Sequence, residues 1–167
     1  GGTQEELDPV RYIGNRSSGR QGFALAEVAA HKGADVTIMA GNTAGLPLPS
    51  GATIRDIVSA QDLESAMREE SRDADIVIMA AAVADYRPAN VAESKMKKGK
   101  ADDALAALEM VENPDILKSL VAAREEGEVP ENCVIVGFAA ETGDADSSAL
   151  EYAQEKFARK GCDVLMA

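Results

Sequence analysis

The chain is short of almost everything that nucleic-acid, membrane, metal and disulfide proteins need. Cationic side chains are outnumbered: 17 Lys and Arg stand against 29 Asp and Glu, a formal net charge of −12. Nucleic acids and anionic membranes attract proteins through a cationic face, so this balance disfavours both as partners. No apolar run approaches the roughly 20 residues that span a bilayer, and no charged-then-apolar leader opens the sequence. The two cysteines, Cys133 and Cys162, each open an apolar strand-like run. They read as inert buried thiols in a reducing, cytoplasmic compartment. Together with the single His31 they lack the spacing of a metal site. His31 lies near the end of a helical pattern, where a cation on the surface suits the helix dipole. Aromatics make up only 4% against an apolar fraction of 46%, which suits an Ala-, Val- and Ile-rich α/β interior. A length of 167 residues is enough for one domain with a real core.

What is present is concentrated in Asp8-Pro9-Val10-Arg11-Tyr12-Ile13-Gly14-Asn15-Arg16-Ser17-Ser18-Gly19-Arg20-Gln21-Gly22. A turn dipeptide, guanidinium groups, an amide and two hydroxyls lead there into a glycine-flanked helix start. Such a start presents unpaired N–H groups and a positive dipole end, which suit a phosphate. The loop is of neither familiar kind. Gly14 and Gly19 have Walker A spacing, but Arg20-Gln21 replaces the required Lys-Ser/Thr. Ser17 through Gly22 lacks the first glycine of a dinucleotide fingerprint. Positive charge, scarce overall, gathers at Arg11, Arg16 and Arg20 and again at Lys95, Lys97, Lys98 and Lys100.

Along the chain, strand and helix patterns alternate. Residues 19–32 read as a helix with Phe23, Ala26, Val28 and Ala30 on its apolar face and Gly33 as its stop. Strands are expected over 36–40 and 52–58, separated by a loop rich in Pro and Gly. Ser59 should cap a helix running to Arg72, with Asp62 in capping-box position. The unbroken apolar run 75–82 has the mark of a strand buried on both faces. Residues 84–100 show no periodicity and read as a long loop, a basic flap at about 84–101. Asn113-Pro114-Asp115 looks like a helix start with Asn113 as cap and proline in the first position. A strand over 133–139, a helix capped by Ser148 with Glu151, and a strand over 163–167 complete the pattern. The class is α/β: a Rossmann-like parallel sheet with helices on both faces. It opens on a turn that normally follows a strand and closes inside a strand, as a fragment truncated at both ends would.

With the segments placed, the chain resembles the phosphopantothenoylcysteine synthetases, the phosphopantothenate–cysteine ligases of coenzyme A biosynthesis. The resemblance rests on Gly1-Gly2-Thr3 with Leu7-Asp8-Pro9-Val10-Arg11, on Asn15 through Gly19, and on Ala81-Ala82-Val83-Ala84-Asp85-Tyr86-Arg87-Pro88. It continues through Lys95-Met96-Lys97-Lys98, Asn113-Pro114-Asp115-Ile116-Leu117 and Gly137-Phe138-Ala139-Ala140-Glu141-Thr142, all in the family's order. It implies a Rossmann-like homodimer that uses CTP and Mg²⁺ to join 4′-phosphopantothenate to cysteine through an acyl-cytidylate, releasing pyrophosphate and CMP. In many bacteria this domain follows a flavin-dependent decarboxylase on the same chain, so FMN would belong to that absent half. The resemblance also makes 104–110 a strand, although its composition favours helix.

Residue by residue, the resemblance makes Asn15, Arg11 and Lys95 catalytic. Asn15 cannot be a base or nucleophile, but its NH2 can hold a carboxylate or an acyl oxygen; a left-handed turn asparagine is the plain alternative. Arg11 has the planar fork for a carboxylate or phosphate, or forms a surface ion pair with Asp8. Substrate binding is implied for Arg11, Asn15 and Ala81. Nucleotide binding is implied for Ser17, Ser18 and Gly19, which otherwise form a helix cap. It is also implied for the strand-end residues Met79, Ala80 and Ala81, whose backbone alone can contribute, and for Asp85 and Lys95. Lys95 would neutralise the leaving pyrophosphate while Lys97 and Lys98 close the flap; a solvated basic loop is the ordinary reading of such a run. Pro114, Asp115, Ile116 and Leu117 match a nucleotide-contacting turn, though Ile116 and Leu117 suit a core equally well. Phe138 would lie beside the base, or in the core. Lys156 and Lys160, on one helix face, would sit near the nucleotide or in solvent. Two other functions compete: a nicotinamide-dependent oxidoreductase, and a nucleotide-binding module without chemistry. The first expects an intact glycine fingerprint and an acid ending the second strand, and neither is present.

Overall fold

A computed structural model of the chain describes residues 1–97, 105, 107–142 and 148–167. The chain divides into two compact units. Unit 1 comprises Gly1–Glu64 and Ala81–Pro114; unit 2 comprises Ser65–Ala80 and Asp115–Ala167.

Unit 1 begins with an antiparallel hairpin, β1 (Glu5–Asp8) and β2 (Arg11–Ile13), turning at Pro9-Val10. Helix α1 (Arg20–His31) follows. Gly33 has φ +89° and its N–H donates to Ala30 O at 2.9 Å, so a left-handed glycine does stop the helix. Phe23 and Ala26 are buried, but Val28 is 55% exposed. At 3.6 residues per turn Val28 stands about 140° around the helix from Phe23, too far to share its face. Strands β3 (Val36–Gly41) and β4 (Ala52–Ile57) pair in parallel from Val36↔Ala52 to Gly41↔Ile57, and α1 packs on both. The expected loop after Ala84 contains a strand. β6 (Tyr86–Pro88) pairs antiparallel with β7 (Met110–Glu112). Three residues are too few for a period-2 pattern to register, and Pro88 masked it further. The strand expected over 104–110 is displaced to Met110–Glu112; residues 104 and 106 lie outside the described residues.

Helix α2 (Ala60–Glu70) starts in unit 1 with the expected reciprocal cap: the Asp62 N–H donates to Ser59 Oγ at 3.1 Å and the Ser59 N–H to Asp62 Oδ2 at 2.9 Å. It ends at Glu70, and a single 3₁₀ turn carries Arg72. Unit 2 is built on a three-stranded parallel sheet of β5 (Ile76–Met79), β8 (Val134–Phe138) and β9 (Val164–Met166), in the order β5-β8-β9. Helices α3 (Ile116–Glu125) and α4 (Ala149–Lys160) pack with β8 and β9 respectively. Leu120 and Ile135 are fully buried, with Ala123 and Cys133 close behind. β5 is not buried on both faces. Val77 and Met79 are covered while Ile76 and Ile78 are exposed, so its apolar run conceals a period of two. Ser148 and Glu151 form the expected capping box, and both cysteines are free and buried. Burial raises the Cys133 thiol pKa, which keeps it protonated and unreactive. The α/β class expected from the sequence is the one observed.

Candidate functional site

In unit 1 the backbone itself forms the floor of the candidate site. A Cβ on Gly1 would fall 1.8 Å from Gly41 O, and one on Gly41 would fall 3.0 Å from Gly2 O. A Cβ on Gly2 would lie 2.9 Å from Asn15 O and 3.4 Å from Ala82 O. Residues 1–2, 15, 41 and 82 therefore meet main chain to main chain, with Gly2 and Ala82 in a parallel bridge. Thr3 locks the junction: it is buried and its Oγ1 accepts the Ala84 N–H at 3.0 Å. Over this floor Asn15 is exposed and its Nδ2 donates to Val83 O at 3.0 Å. Among the described residues only Asn42 is a non-glycine with positive φ, so Asn15 is not a left-handed turn former. Gly19, the N-cap of α1 with φ +73°, supplies no side-chain cap. Ser18 Oγ accepts only the Arg20 N–H, at 3.4 Å, and Ser17 is half-buried. No side chain caps the positive dipole end of α1, the kind of helix start that suits an anion.

The basic loop is tied to the hairpin. Asp8 has a fully buried side chain whose Oδ1 accepts the Val10 N–H at 2.9 Å and whose Oδ2 accepts the Met96 N–H at 3.2 Å. Arg11 Nε lies 3.4 Å from the same Oδ2, and its terminal NH2 donates to Met96 O. Burial alone would raise the Asp8 pKa. The N–H groups of Val10 and Met96 and the Arg11 charge outweigh it and hold the carboxyl below its usual range. The ion pair with Asp8, the plain alternative for Arg11, is thus present, and it does more than decorate a surface. Lys95 and Lys97 are exposed; Lys98 and Lys100 lie outside the described residues. Asp85 is exposed, and its carbonyl accepts the Asn113 N–H at 2.8 Å. Asn113 does not cap the next helix. Its Nδ2 donates to Ala84 O at 2.8 Å and its Oδ1 accepts from Arg87 at 3.1 Å. With that side chain engaged in unit 1, Asp115 takes the cap position and accepts the Lys118 N–H at 3.2 Å, leaving Pro114 ahead of the cap.

Unit 2 carries the other expected nucleotide residues. Met79 and Gly137 are register partners, so the carboxyl ends of β5 and β8 lie level, where open parallel sheets bind ligands. Met79 is buried, Ala80 is half-buried, and Phe138 ends β8 partly exposed. Ile116 and Leu117 are core residues: Leu117 packs against Gly137, where a Cβ would fall 2.7 Å from its Cδ2. Lys160 Nζ donates to Asp115 Oδ2 at 2.6 Å and Lys156 Nζ to Glu141 Oε1 at 2.8 Å, so neither lysine is simply solvated. Burial raises the Asp115 pKa, but Lys160 and the Lys118 N–H prevail and hold it low. The expected site residues therefore fall as Arg11, Asn15, Ser17, Ser18, Gly19, Ala81, Asp85, Lys95 and Pro114 in unit 1, and the remainder in unit 2.

All of residues 1–167 match the family model described as the DNA/pantothenate metabolism flavoprotein C-terminal domain. The chain belongs to that family. It is 53% identical over 166 residues to the coenzyme A biosynthesis bifunctional protein CoaBC of Mycolicibacterium smegmatis, covering 99% of this chain and 40% of that protein. The CoaBC of Escherichia coli K12 is 41% identical over 167 residues, 100% of this chain and 39% of that one. The chain thus spans about two fifths of the length of these curated relatives. Among solved structures, the C-terminal domain of a CoaBC matches with a TM-score of 0.76 at 38% identity, covering 98% of this chain and 71% of that one. A Cab2 mutant in complex with phosphopantothenate-cysteine shares the fold at 16% identity, with a TM-score of 0.74 and coverage of 98% and 68%.

Motif reading within this family fold missed residues that act through others. Asp8 reads as a turn aspartate, and only its full burial reveals the second bond to Met96. Thr3 and Asn113 each hold a main-chain group of Ala84 from distant parts of the sequence. Glu141 was visible only as part of a motif; its partner Lys156 identifies it as an anchor. The local signal for Asp8 was an Asp two residues ahead of an N–H in a turn, a common carboxylate acceptor pattern.

Proposed function

We propose that this domain joins 4′-phosphopantothenate to cysteine in coenzyme A biosynthesis, with CTP as the activating co-substrate. The substrate carboxylate oxygen attacks the α-phosphorus of CTP, the bond to the β-phosphate oxygen breaks, and pyrophosphate leaves. The cysteine amine then attacks the acyl carbon of the cytidylate, loses a proton, and expels CMP. The observation that carries this reading is Asn15, its amide fixed on Val83 O four residues ahead of a helix start without a side-chain cap. The names of the CoaBC relatives and the phosphopantothenate-cysteine bound to the Cab2 mutant support the same pathway.

In this reading the Asn15 NH2 steadies the substrate carboxylate and then the oxygen that becomes negative as cysteine attacks. Arg11, with 35% of its side chain exposed, offers the free part of its fork to the substrate. Lys95 neutralises the departing pyrophosphate. Ser17, Ser18, Gly19 and the main chain of Met79, Ala80 and Ala81 serve the phosphates, with Asp85 toward the ribose or the metal. Phe138 flanks the base; Pro114 through Leu117, Lys156 and Lys160 complete the nucleotide contacts. Among the described residues no group of three or more His, Cys, Asp or Glu forms a cation cage. Asp85, exposed, is a carboxylate that would reach Mg²⁺ carried on the triphosphate, a hard oxygen donor of the kind that cation takes. The functional molecule is a homodimer, and FMN belongs to a decarboxylase half of the kind that a bifunctional relative implies. A nicotinamide-dependent oxidoreductase is not favoured: β3 closes on Met39-Ala40-Gly41 with no acid for a ribose.

The test is turnover by the full-length protein that carries this domain. CTP should yield pyrophosphate only when phosphopantothenate is supplied, and CMP only when cysteine is supplied as well; equal turnover with ATP, or CMP release without cysteine, would overturn the reading. Asn15→Asp should fold, because the side chain is exposed, and should lose about 3 to 4 kcal/mol of barrier lowering, roughly a hundredfold to thousandfold in rate. Pyrophosphate release without CMP release in that variant places Asn15 in the second half-reaction.

A further inference from the structure

The hairpin of unit 1 holds a stretch of chain more than 80 residues away. The Ala92 N–H donates to Leu7 O at 3.0 Å, the Met96 N–H donates to Asp8 Oδ2, and Met96 O accepts from Arg11. Main chain is thereby fixed at both ends of residues 92–96. Lys95 lies inside this short span with its side chain exposed. A loop residue pinned on both sides in this way keeps its side-chain rotamers but loses the freedom to carry its ammonium away from the site.

The two carboxylate oxygens of Asp8 divide the work. Oδ1 serves the hairpin turn through Val10; Oδ2 serves the basic loop through Met96 and Arg11. A turn aspartate needs only the first. The second explains why this carboxylate is fully buried, and why a guanidinium bonded to the same Met96 peptide stands beside it. The geometry points to Asp8 as a positioning residue for Lys95: through Met96 and with Arg11, it presents the Lys95 ammonium to the leaving pyrophosphate. This rests on the ligase reading given above.

The replacement that isolates the role is Asp8→Asn, which keeps the shape and leaves one acceptor oxygen where there were two. The bond to Val10 closes a loop of two residues and that to Met96 one of 88, so the local bond is the less costly to keep; the basic loop loses its bond and the Arg11 charge its partner. Single-turnover formation of the acyl-cytidylate, measured in the full-length protein, should slow on the order of a hundredfold, the effect of misplacing a charge by about an ångström. Hydrogen exchange at the Met96 amide should accelerate while the Phe23 amide in α1 stays protected. In a Lys95→Ala background, Asp8→Asn should slow the step by a much smaller factor than in the wild type, since most of its effect passes through Lys95 and only the remainder through Arg11. The proposal is overturned if Asp8→Asn leaves the wild-type rate intact, or slows the Lys95→Ala protein by the same factor as the wild type. It is also overturned if the Met96 amide exchanges no faster. Should Asp8→Asn fail to fold, Met96→Pro removes the donor from the loop side and must slow the same step. A wild-type protein that forms no acyl-cytidylate overturns the ligase reading instead, and the Met96 exchange measurement then still decides whether Asp8 anchors the loop.

Discussion

The two units place their candidate residues by different physics. Unit 1 relies on polar atoms out of water: Thr3, Glu5 and Asp8 are all buried, and each accepts a main-chain N–H from a distant segment, Ala84, Ala60 and Met96 respectively. Unit 2 relies on apolar packing around Leu120 and Ile135, and its ion pairs, such as Lys160 with Asp115, stay partly in solvent. Among the described residues its one buried polar residue is Ser71, whose hydroxyl donates to the carbonyl of Arg68 three residues back. Packing tolerates adjustment, because neighbours can partly relax into a small void. A buried acceptor tolerates none, because its donor has no water to turn to. Placement in unit 1 is therefore all-or-none, and in unit 2 it is graded.

The strongest way to break the comparison is Leu120→Ala. It removes a fully buried side chain from the centre of unit 2 and should cost about 2–5 kcal/mol in urea unfolding. Volume-conserving Leu120→Met should cost less than about 1.5 kcal/mol, and a larger loss would mean that unit 2 is not graded.

In unit 1, Thr3→Val keeps the shape and removes one acceptor, stranding the Ala84 N–H at a cost of about 1–3 kcal/mol. Thr3→Ser, which keeps the oxygen and loses a methyl, should retain most of the stability. If Ser proves as damaging as Val, the methyl packing rather than the hydrogen bond holds the junction.

The smallest effect is expected at Lys160→Met, under about 1 kcal/mol at neutral pH for a pair still partly in solvent. Its signature lies in acid. Asp115, with Asp8 and Asp163, sits below its usual range when folded, so the stability it contributes is complete above the unfolded value of about 3.9 and fades as pH falls through the folded value. Lys160→Met lets the folded pKa of Asp115 rise toward the unfolded one. Acid titration of stability should then show a smaller loss below about pH 4 than in the wild type. An unchanged acid profile would show that the pair does not hold Asp115 low.

Segments that encode their own geometry were legible in the sequence. The α1 stop at Gly33, the Ser148–Glu151 capping box and the β3–β4 pair follow from local glycine, hydroxyl and apolar patterning. Of the candidate site, the motif residues could be named from the sequence, and the structure places Asn15 and Lys95 exposed in unit 1. What escaped was set by sequence-distant partners. The Asn113 side chain is drawn to Ala84 and Arg87, which moves the helix cap to Asp115. Ile76 and Ile78 are apolar yet exposed, because composition alone cannot say which face of a strand is covered. Asp8 looks the same in sequence whether it closes a turn or grips a loop 88 residues away.

The glycine junction beneath Asn15 has a consequence for how this family can vary. Where a side chain would land 1.8 Å from Gly41 O, no smaller or better-chosen residue exists, since glycine is already the limit. The floor offers selection no intermediate steps: each of Gly1, Gly2 and Gly41 can be kept or lost but not adjusted. Variation in this part of unit 1 must therefore enter at exposed positions such as Arg16, Ser18 and Asp85, where a change of side chain leaves the main chain where it is. A saturation-mutagenesis map of the domain should record this as a sharp boundary, with intolerant glycines directly beside positions that accept many residues.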